Sequence, residues 1–523
     1  MKKNIFKKIH IFSYFNSYCL KALGCTSFGF LAGINVSLPS NSFVTIISLA
    51  AAFILLQNCK NIVTQCFLIF CWTLSFISAG TFWIAIAIYD PLLTPLLTAC
   101  LVASSLYVVH SLIYTFTYFT VNRIIYLLFF RKYENTNTLL LAISVSLSFG
   151  ISEFIRSNGS LAMPWGFIGY TQTSNPLLSG IYPVAGSYGV TTITTLISII
   201  IVLISKSIFL QFSSNTKFNY FSYFKNHLVE IILLIVFFSS LILLNYIEWT
   251  HENDKKLNIR IVHTHIPNFQ KYDLNVQNSS IKKIITLSSL KDVNLTIYPE
   301  LYLVKPAYDI DKKIRTQIVQ SVITTKNAQL FGIPDSEVTK DGTILGSLNV
   351  MLQIDAFGET KRYAKEILLP FSEYMPSDPL LVWAMPYIFK FPLANFNSGK
   401  LSNKNLLQVD GMNLAISICN EIAYSNNIHR HASNAQILIN SASDSWIPNQ
   451  IYALHSWQIN KVRAMETQKT LLRSSNTGYS GYIDPWGNEI KMQYGVETTQ
   501  KYEIIPRFGN TPYTNLAAFI SKY

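Results

Sequence analysis

The pattern of apolar and polar positions divides the chain near residue 247. Before that point, apolar residues run in stretches close to the roughly 20 that a helix needs to cross a bilayer. Runs near 16–36, 41–58, 63–87, 93–118, 138–155, 183–205 and 228–247 predict seven spans, and 93–130 is long enough to hold an extra half-span. After about 257 the period changes. Short β-rich runs at 257–265, 293–298, 328–332, 412–418, 435–440, 471–475 and 479–483 alternate with helical stretches near 277–290, 309–324 and 450–469. Such alternation predicts a layered α/β domain, and about 250 residues is enough for one complete core. The sequence Asp484-Pro485-Trp486-Gly487 suits a tight reversal between paired strands.

Between the fifth and sixth runs, residues 153–183 are irregular and rich in Pro, Gly and aromatics, including Pro164-Trp165-Gly166 and Gly169-Tyr170. Trp and Tyr favour the headgroup level of a membrane. The segment reads either as an arm near 156–182 lying on the bilayer surface or as a long connecting loop.

Composition sharpens this division. Half the residues are apolar and only 13% are charged, with mean hydropathy +0.29. A soluble globular chain carries about 25% charged residues, and disorder requires low hydropathy with dense charge. The net charge of +13 would suit a polyanion only if the basic residues clustered on one face or tract. Residues 1–247 hold 13 Lys and Arg against four acids (Asp90, Glu134, Glu153, Glu230), leaving 28 basic and 24 acidic residues for the rest. With the N-terminus inside, Lys2, Lys3, Lys7, Lys8, Lys60, Arg123, Arg131, Lys132, Lys206, Lys217 and Lys225 fall on the cytoplasmic side, against Arg156 alone in the short outer loops. The charge is therefore a topological signal, and seven spans place everything after about 250 outside the cytoplasm. No small-residue cleavage site follows the basic start, which favours an uncleaved first helix.

Six of the seven cysteines precede residue 101, and Cys419 is alone in the second half. A lone thiol in an exported domain is either a small buried hydrophobe or a reactive group. Cys419 ends the apolar run Leu414–Ile418 and stands two residues before Glu421. Glu300 similarly ends Leu295–Pro299, and Lys365 stands beside Ile367-Leu368-Leu369. Taken singly, such charges are commonly solvated. Together a thiol, a carboxylate and an ammonium meet the needs of acyl transfer: a nucleophile, a proton carrier and an oxyanion partner. There is no nucleotide motif, and the pair His263-Thr264-His265 is a weak metal signal. On a central strand it reads as packed or hydrogen-bonded.

Longer motifs carry a resemblance. They are Ser152-Glu153-Phe154-Ile155-Arg156, Ile266-Pro267 with Lys271-Tyr272-Asp273, Tyr298-Pro299-Glu300, Arg362-Tyr363-Ala364-Lys365, Pro370-Phe371-Ser372-Glu373-Tyr374-Met375-Pro376, Ile418-Cys419-Asn420-Glu421, Arg463-Ala464-Met465-Glu466 and Leu471 through Gly478. In order and spacing the chain resembles the bacterial apolipoprotein N-acyltransferases. The resemblance implies a multi-span α-helical membrane domain (1–247) plus an α/β nitrilase-like (αββα sandwich) extramembrane domain (257–505). A short tail (506–523) would follow, lacking the family's usual last span, because only ten residues follow Thr511-Pro512-Tyr513.

The resemblance also implies a triad of Glu300 as general base and acid, Lys365 as oxyanion stabiliser and Cys419 as nucleophile, without metal or cofactor. Glu373, Glu421, Tyr272 and Trp446 match supporting or substrate-binding positions; Glu421 could equally be a helix-start carboxylate, and Trp446 an ordinary hydrophobe. The implied partners are a membrane phospholipid as acyl donor and a diacylated apolipoprotein as acceptor, with no nucleic acid. The implied setting is a monomer in the bacterial inner membrane, its catalytic domain facing the periplasm. Asn420, Tyr272, Leu301 and Pro448 depart from common family residues and bear on pocket shape. The rival expectations are a membrane-tethered amidase, an acyltransferase with another amine acceptor, and a non-enzymatic receptor or transporter subunit.

Overall fold

The computed structural model describes residues 2–37, 41–59, 61–89, 94–130, 137–159, 161–213, 228–338, 344–370, 372–374, 395–399, 406–447 and 449–521. Pro448, the motif residues Phe371, Met375 and Pro376, and Lys60, Arg131, Lys132, Lys217 and Lys225 lie outside the described residues. The chain divides into two compact units, one from 1–84 and 100–247, the other from 85–99 and 248–523.

The first unit is built from helices. They are α1 (Lys2–Ser37), α2 (Phe43–Gln57), α3 (Ile62–Gly80), α4 (Trp83–Tyr89), α5 (Leu96–Ile125), α6 (Asn137–Arg156), α7 (Tyr182–Ser213) and α8 (Leu228–Leu244), of which α4 and α5 run across the division between units. Among the described residues, Tyr18–Val36, Ile62–Gly80, Leu96–Leu128 and Ser179–Phe209 are long and apolar enough to cross a membrane. Phe43–Gln57 and Ile231–Leu244 are apolar but shorter. The run expected at 63–87 is two helices, because Thr81 ends α3 by returning both its N–H and its hydroxyl to the Ile77 carbonyl.

α1 meets α3 at unusually short range. A Cβ on Gly29 would lie 2.2 Å from the Trp72 carbonyl oxygen, and one on Gly33 would lie 2.4 Å from that of Phe76. Two glycines four residues apart let helix backbones approach where lipid offers no hydrophobic drive. Ser75 Oγ donates to the Thr26 carbonyl (2.7 Å), Trp72 Nε1 to Ser48 Oγ (3.1 Å) and Ser48 Oγ to the Phe28 carbonyl (2.6 Å), tying α1, α2 and α3 together.

The irregular segment packs against its own unit. Residues 163–173 are buried, held from α6 by two charged side chains. Glu153 accepts from the Ile168 N–H (2.7 Å), Tyr114 Oη (3.2 Å) and Thr191 Oγ1. Arg156 donates to the carbonyls of Trp165 (2.9 Å) and Gly166 (3.4 Å). Buried charges need such partners, and these ones draw the aromatic loop inward.

The second unit contains strands β1 (His251–Glu252), β2 (Leu257–His263), β3 (Leu295–Ile297), β4 (Ala328–Val338), β5 (Ile344–Ile354), β6 (Thr360–Ala364), β7 (Leu407–Val409), β8 (Met412–Ile418), β9 (Ile437–Ser443), β10 (Leu471–Asn476), β11 (Gly481–Ile483), β12 (Glu489–Lys491), β13 (Thr498–Ile504) and β14 (Arg507–Phe508). Its helices are α9 (Leu274–Ser288), α10 (Lys312–Thr325), α11 (Ser425–Ala432), α12 (Gln450–Thr467) and α13 (Pro512–Ile520). One six-stranded sheet runs β13-β2-β3-β4-β5-β6 and the other β12-β11-β10-β9-β8-β7. β2–β3–β4 and β8–β9–β10 are parallel.

Strand alternation sorts the side chains into layers. Leu257, Ile259 and Ile261 join Leu295, Ile416, Ile418, Ile437 and Ile439 in the core shared by the two sheets. Val262, Phe331 and Ile333 belong to a second cluster with Ile284 of α9 and Ile318 and Val322 of α10. The helix starts are fixed by Asp273, Asp311, Asn449 and Thr511, whose side chains accept from N–H groups in the first turn. Thr511 starts α13, which docks on α11 through Tyr513 to Ser425 (2.9 Å) and Thr514 to His429 (3.0 Å).

Candidate active site

Three candidate residues stand just beyond strand ends: Glu300 after β3, Lys365 after β6 and Cys419 after β8. β6 runs parallel to β4, since both are antiparallel to β5. β8 runs the same way, because it is parallel to β10 through β9 and β10 is parallel to β2 at the Thr264–Asn476 bridge, so the three carboxyl ends open to one side, where α/β sheets place ligands. Two of the exits are strained. Cys419 has φ 53° and Leu301, next to Glu300, has φ 45°. Non-glycine residues in the left-handed region cost on the order of 1–3 kcal/mol and persist only where surroundings impose them. Gly332 of β4 gives the Glu300 turn its room: a Cβ there would lie 2.4 Å from Leu301 N and 2.6 Å from Glu300 Cα.

The Glu300 and Lys365 side chains join Glu373 and Asn349 in a buried, hydrogen-bonded group. Lys365 Nζ is 2.8 Å from the Glu373 carboxylate and 3.5 Å from Glu300 Oε1. Asn349 Nδ2, from β5, donates to Glu300 (2.8 Å) and Glu373 (3.1 Å) together, and the Ser443 N–H donates to the other Glu300 oxygen at 2.9 Å. Leu369 N–H donates to Glu373 (2.8 Å). Burial disfavours the Lys365 charge, but Glu373 and Glu300 outweigh it and hold the ammonium well above the usual lysine range. Burial, reinforced by Glu300, pushes the Cys419 thiol up, against the pull of Lys365. The sulfur therefore keeps its proton near neutral pH.

Behind Cys419 lies a chain of polar groups. The Cys419 carbonyl accepts from Asn440 Nδ2 (3.2 Å), Asn440 Oδ1 accepts from Arg473, and Arg473 pairs with Asp444 at 2.8 Å. Glu421 secures the turn itself. Its carboxylate accepts from the N–H groups of Ile418 (2.7 Å), Glu366 (2.6 Å) and Ile367 (3.0 Å) and from Tyr363 Oη. Burial lifts Glu421 to about 7 even though Lys365 and those donors oppose it. It bridges the residue before Cys419 to the two after Lys365, so it is more than a helix-start carboxylate.

Tyr272 and Trp446 are not drawn into this cluster: Tyr272 is 68% exposed, and Trp446 is half-buried in a turn with Asp444. His263 is fully buried, with Nδ1 2.9 Å from the Ser475 carbonyl and from Ser480 Oγ, while His265 lies beyond the strand and is exposed. No group of three His, Cys, Asp or Glu suited to a metal occurs among the described residues.

The sequence reading missed Asn349, Ser443 and the role of Lys271. Asn349 is a polar residue inside the apolar run Leu348–Leu352, and that interruption was the available signal. Lys271 is buried and donates to Ser443 Oγ at 2.6 Å.

Residues 28–200 match the family model described as the apolipoprotein N-acyltransferase N-terminal domain, and 259–502 match carbon-nitrogen hydrolase. An apolipoprotein N-acyltransferase of Wigglesworthia glossinidia brevipalpis is 26% identical over 94% of each chain. One of Coxiella burnetii is 29% identical over 70% of each. Among solved structures, Saccharomyces cerevisiae Nit3, of the nitrilase superfamily, aligns with 52% of this chain and 94% of its own at 12% identity and TM-score 0.34. A carbon-nitrogen hydrolase superfamily protein of Xanthomonas campestris aligns with 48% of this chain and 91% of its own, at 13% and 0.33.

Proposed function

We propose, from the premise that this chain belongs to the apolipoprotein N-acyltransferase family, that it moves an acyl chain from a membrane phospholipid to a lipoprotein amine through a thioester on Cys419. The chain is a membrane acyltransferase; the donor, acceptor and residue roles are our reading. In the first half-reaction Glu300 takes the Cys419 proton and the thiolate attacks the acyl ester carbon. Lys365 steadies the oxyanion, and collapse breaks the ester C–O bond. Glu300 returns the proton to the departing lysophospholipid oxygen. In the second half-reaction the free α-amine of a diacylglyceryl-cysteine attacks the thioester carbon. Glu300 receives an amine proton, the C–S bond breaks, and the sulfur regains a proton as the amide is released. Two steps through one nucleophile suit covalent catalysis.

The observation that carries this reading is the buried ammonium of Lys365, 3.5 Å from Glu300 and held by Glu373, at strand ends shared with Cys419. Supporting the setting, the Lys and Arg bias favours a cytoplasmic N-terminus. On that basis residues 1–247 form the membrane domain of an inner-membrane protein, and the catalytic domain over 257–505 faces the periplasm.

The test is mass spectrometry of the purified full chain incubated with phospholipid, following the peptide that bears Cys419, together with transfer to a diacylated lipopeptide. An acyl adduct that is discharged by the lipopeptide, and is lost in Cys419→Ala, is expected. Full transfer by Cys419→Ala would overturn the assignment. Discharge only to water or to another amine would favour an amidase or a different acceptor.

A further inference from the structure

Lys271 is a second buried lysine in the catalytic unit, and the acyl-transfer scheme leaves it without a task. It sits in the turn Asn268–Tyr272 between β2 and α9 and is 5% exposed. Its backbone is fixed from two sides. The Lys271 carbonyl accepts from Gln277 Nε2 at 2.7 Å, and Gln277 Oε1 accepts from the N–H of Val304, in the loop that follows Glu300. The Lys271 ammonium donates to Ser443 Oγ at 2.6 Å, while the backbone N–H of the same serine donates to Glu300 Oε2 at 2.9 Å. Lys271 thus grips, through one residue, the carboxylate oxygen of Glu300 that does not face Lys365.

The charges around Lys271 point the same way. Glu300, Cys419 and Asp444 all favour its ammonium, against a burial cost that draws it down to about 8. Lys365 approaches Glu300 from the opposite oxygen. Glu300, Glu373 and Lys365 sum to one negative charge, and transfer of the Cys419 proton to Glu300 keeps that sum while moving a negative charge from the carboxylate to the sulfur. The Lys271 ammonium stabilises that charge on either group, because an opposite charge favours the ionised form.

We propose that Lys271 is a positioning residue for acyl transfer: through Ser443 it fixes Glu300, and its ammonium is the counter-charge that lets Cys419 ionise. The proposal rests on the reading of Glu300 and Cys419 given above.

The experiment measures iodoacetamide alkylation of Cys419 against pH in the full chain, following its peptide by mass spectrometry, alongside acyl transfer. Lys271→Met keeps the side-chain length and removes the charge. It should slow alkylation about tenfold near neutral pH and move the profile upward by about one pH unit, with kcat falling more than KM changes. Lys271→Arg should recover part of the loss, and Ser443→Ala should shift the profile the same way by less. If Lys271→Met does not fold, the Ser443→Ala profile decides. Profiles that superimpose on the unsubstituted chain, while Cys419 still takes an acyl group, would overturn the role of Lys271 and leave the acyl-transfer reading intact. Failure of Cys419 to acylate at all would instead count against that reading.

Discussion

Lys365 stands nearer to Glu373 than to Glu300, 2.8 Å against 3.5 Å. The closer carboxylate is therefore the larger of the two influences that keep the ammonium charged. Glu373→Gln retains a hydrogen-bond acceptor and deletes the charge. It should lower kcat about 10- to 100-fold, below the loss typical of deleting an oxyanion donor outright, with little change in KM. Steady-state kinetics on a diacylated lipopeptide would check this; an unchanged kcat would show that Glu300 alone anchors Lys365.

Asn349 spaces two buried carboxylates with one amide. Asn349→Ala should cost about 1–3 kcal/mol of stability, because both acceptors lose a donor in a buried site. Asn349→Asp should be worse for catalysis than Ala, since a third carboxylate raises the proton affinity of its neighbours. The order of activities, native above Ala above Asp, is the outcome to look for.

Gly332→Ala would press a methyl group into the backbone of Glu300 and Leu301. Overpacking of this kind costs about 1–3 kcal/mol, and here the displaced atoms belong to the candidate base. Melting temperature and acyl transfer should fall together. Loss of one without the other would separate the turn from the chemistry.

Lys469 provides a pH signature. It is buried and donates to the carbonyls of Ala432 and Ala435 and to Asn510, and burial draws it down to about 7. Its ordinary value in the unfolded chain lies near 10.4, so the folded protein binds fewer protons between those limits. The cost of burying its charge is complete below about pH 7 and fades as pH rises towards 10.4. The stability of the unsubstituted chain relative to Lys469→Met should therefore climb with pH across that window, by at most about 1.4 kcal/mol per unit. Thermal unfolding of both chains at several pH values would reveal it; a flat difference would refute it.

The candidate cluster was legible where chemistry coincided with the end of an apolar run. Glu300 and Cys419 interrupt strands that read clearly, and β8 falls at Met412–Ile418 as the pattern predicts. β5 and β6 were not anticipated, because Ser347, Asn349 and Gln353 dilute the alternation. Asn349 was lost with them, and Lys365 was placed beside an apolar run instead of at the end of β6. The packing of the segment near 156–182 was hidden for a different reason. Its aromatics and prolines look interfacial locally, but the Glu153 and Arg156 hydrogen bonds that bury it depend on tertiary partners such as Tyr114 and Thr191. The break at Thr81 was equally hidden, because a hydroxyl returning to the preceding turn leaves no periodic trace.

The chain of polar groups from Cys419 through Asn440 and Arg473 to Asp444 has a bearing on redesign. It works as a foundation that tolerates little revision, since shortening any member strands the next in a dry interior. Tyr272 and Trp446 stand outside that foundation, the first largely in the open. Substitution there leaves the masonry beneath the sulfur in place, so these two positions can be varied without disturbing it.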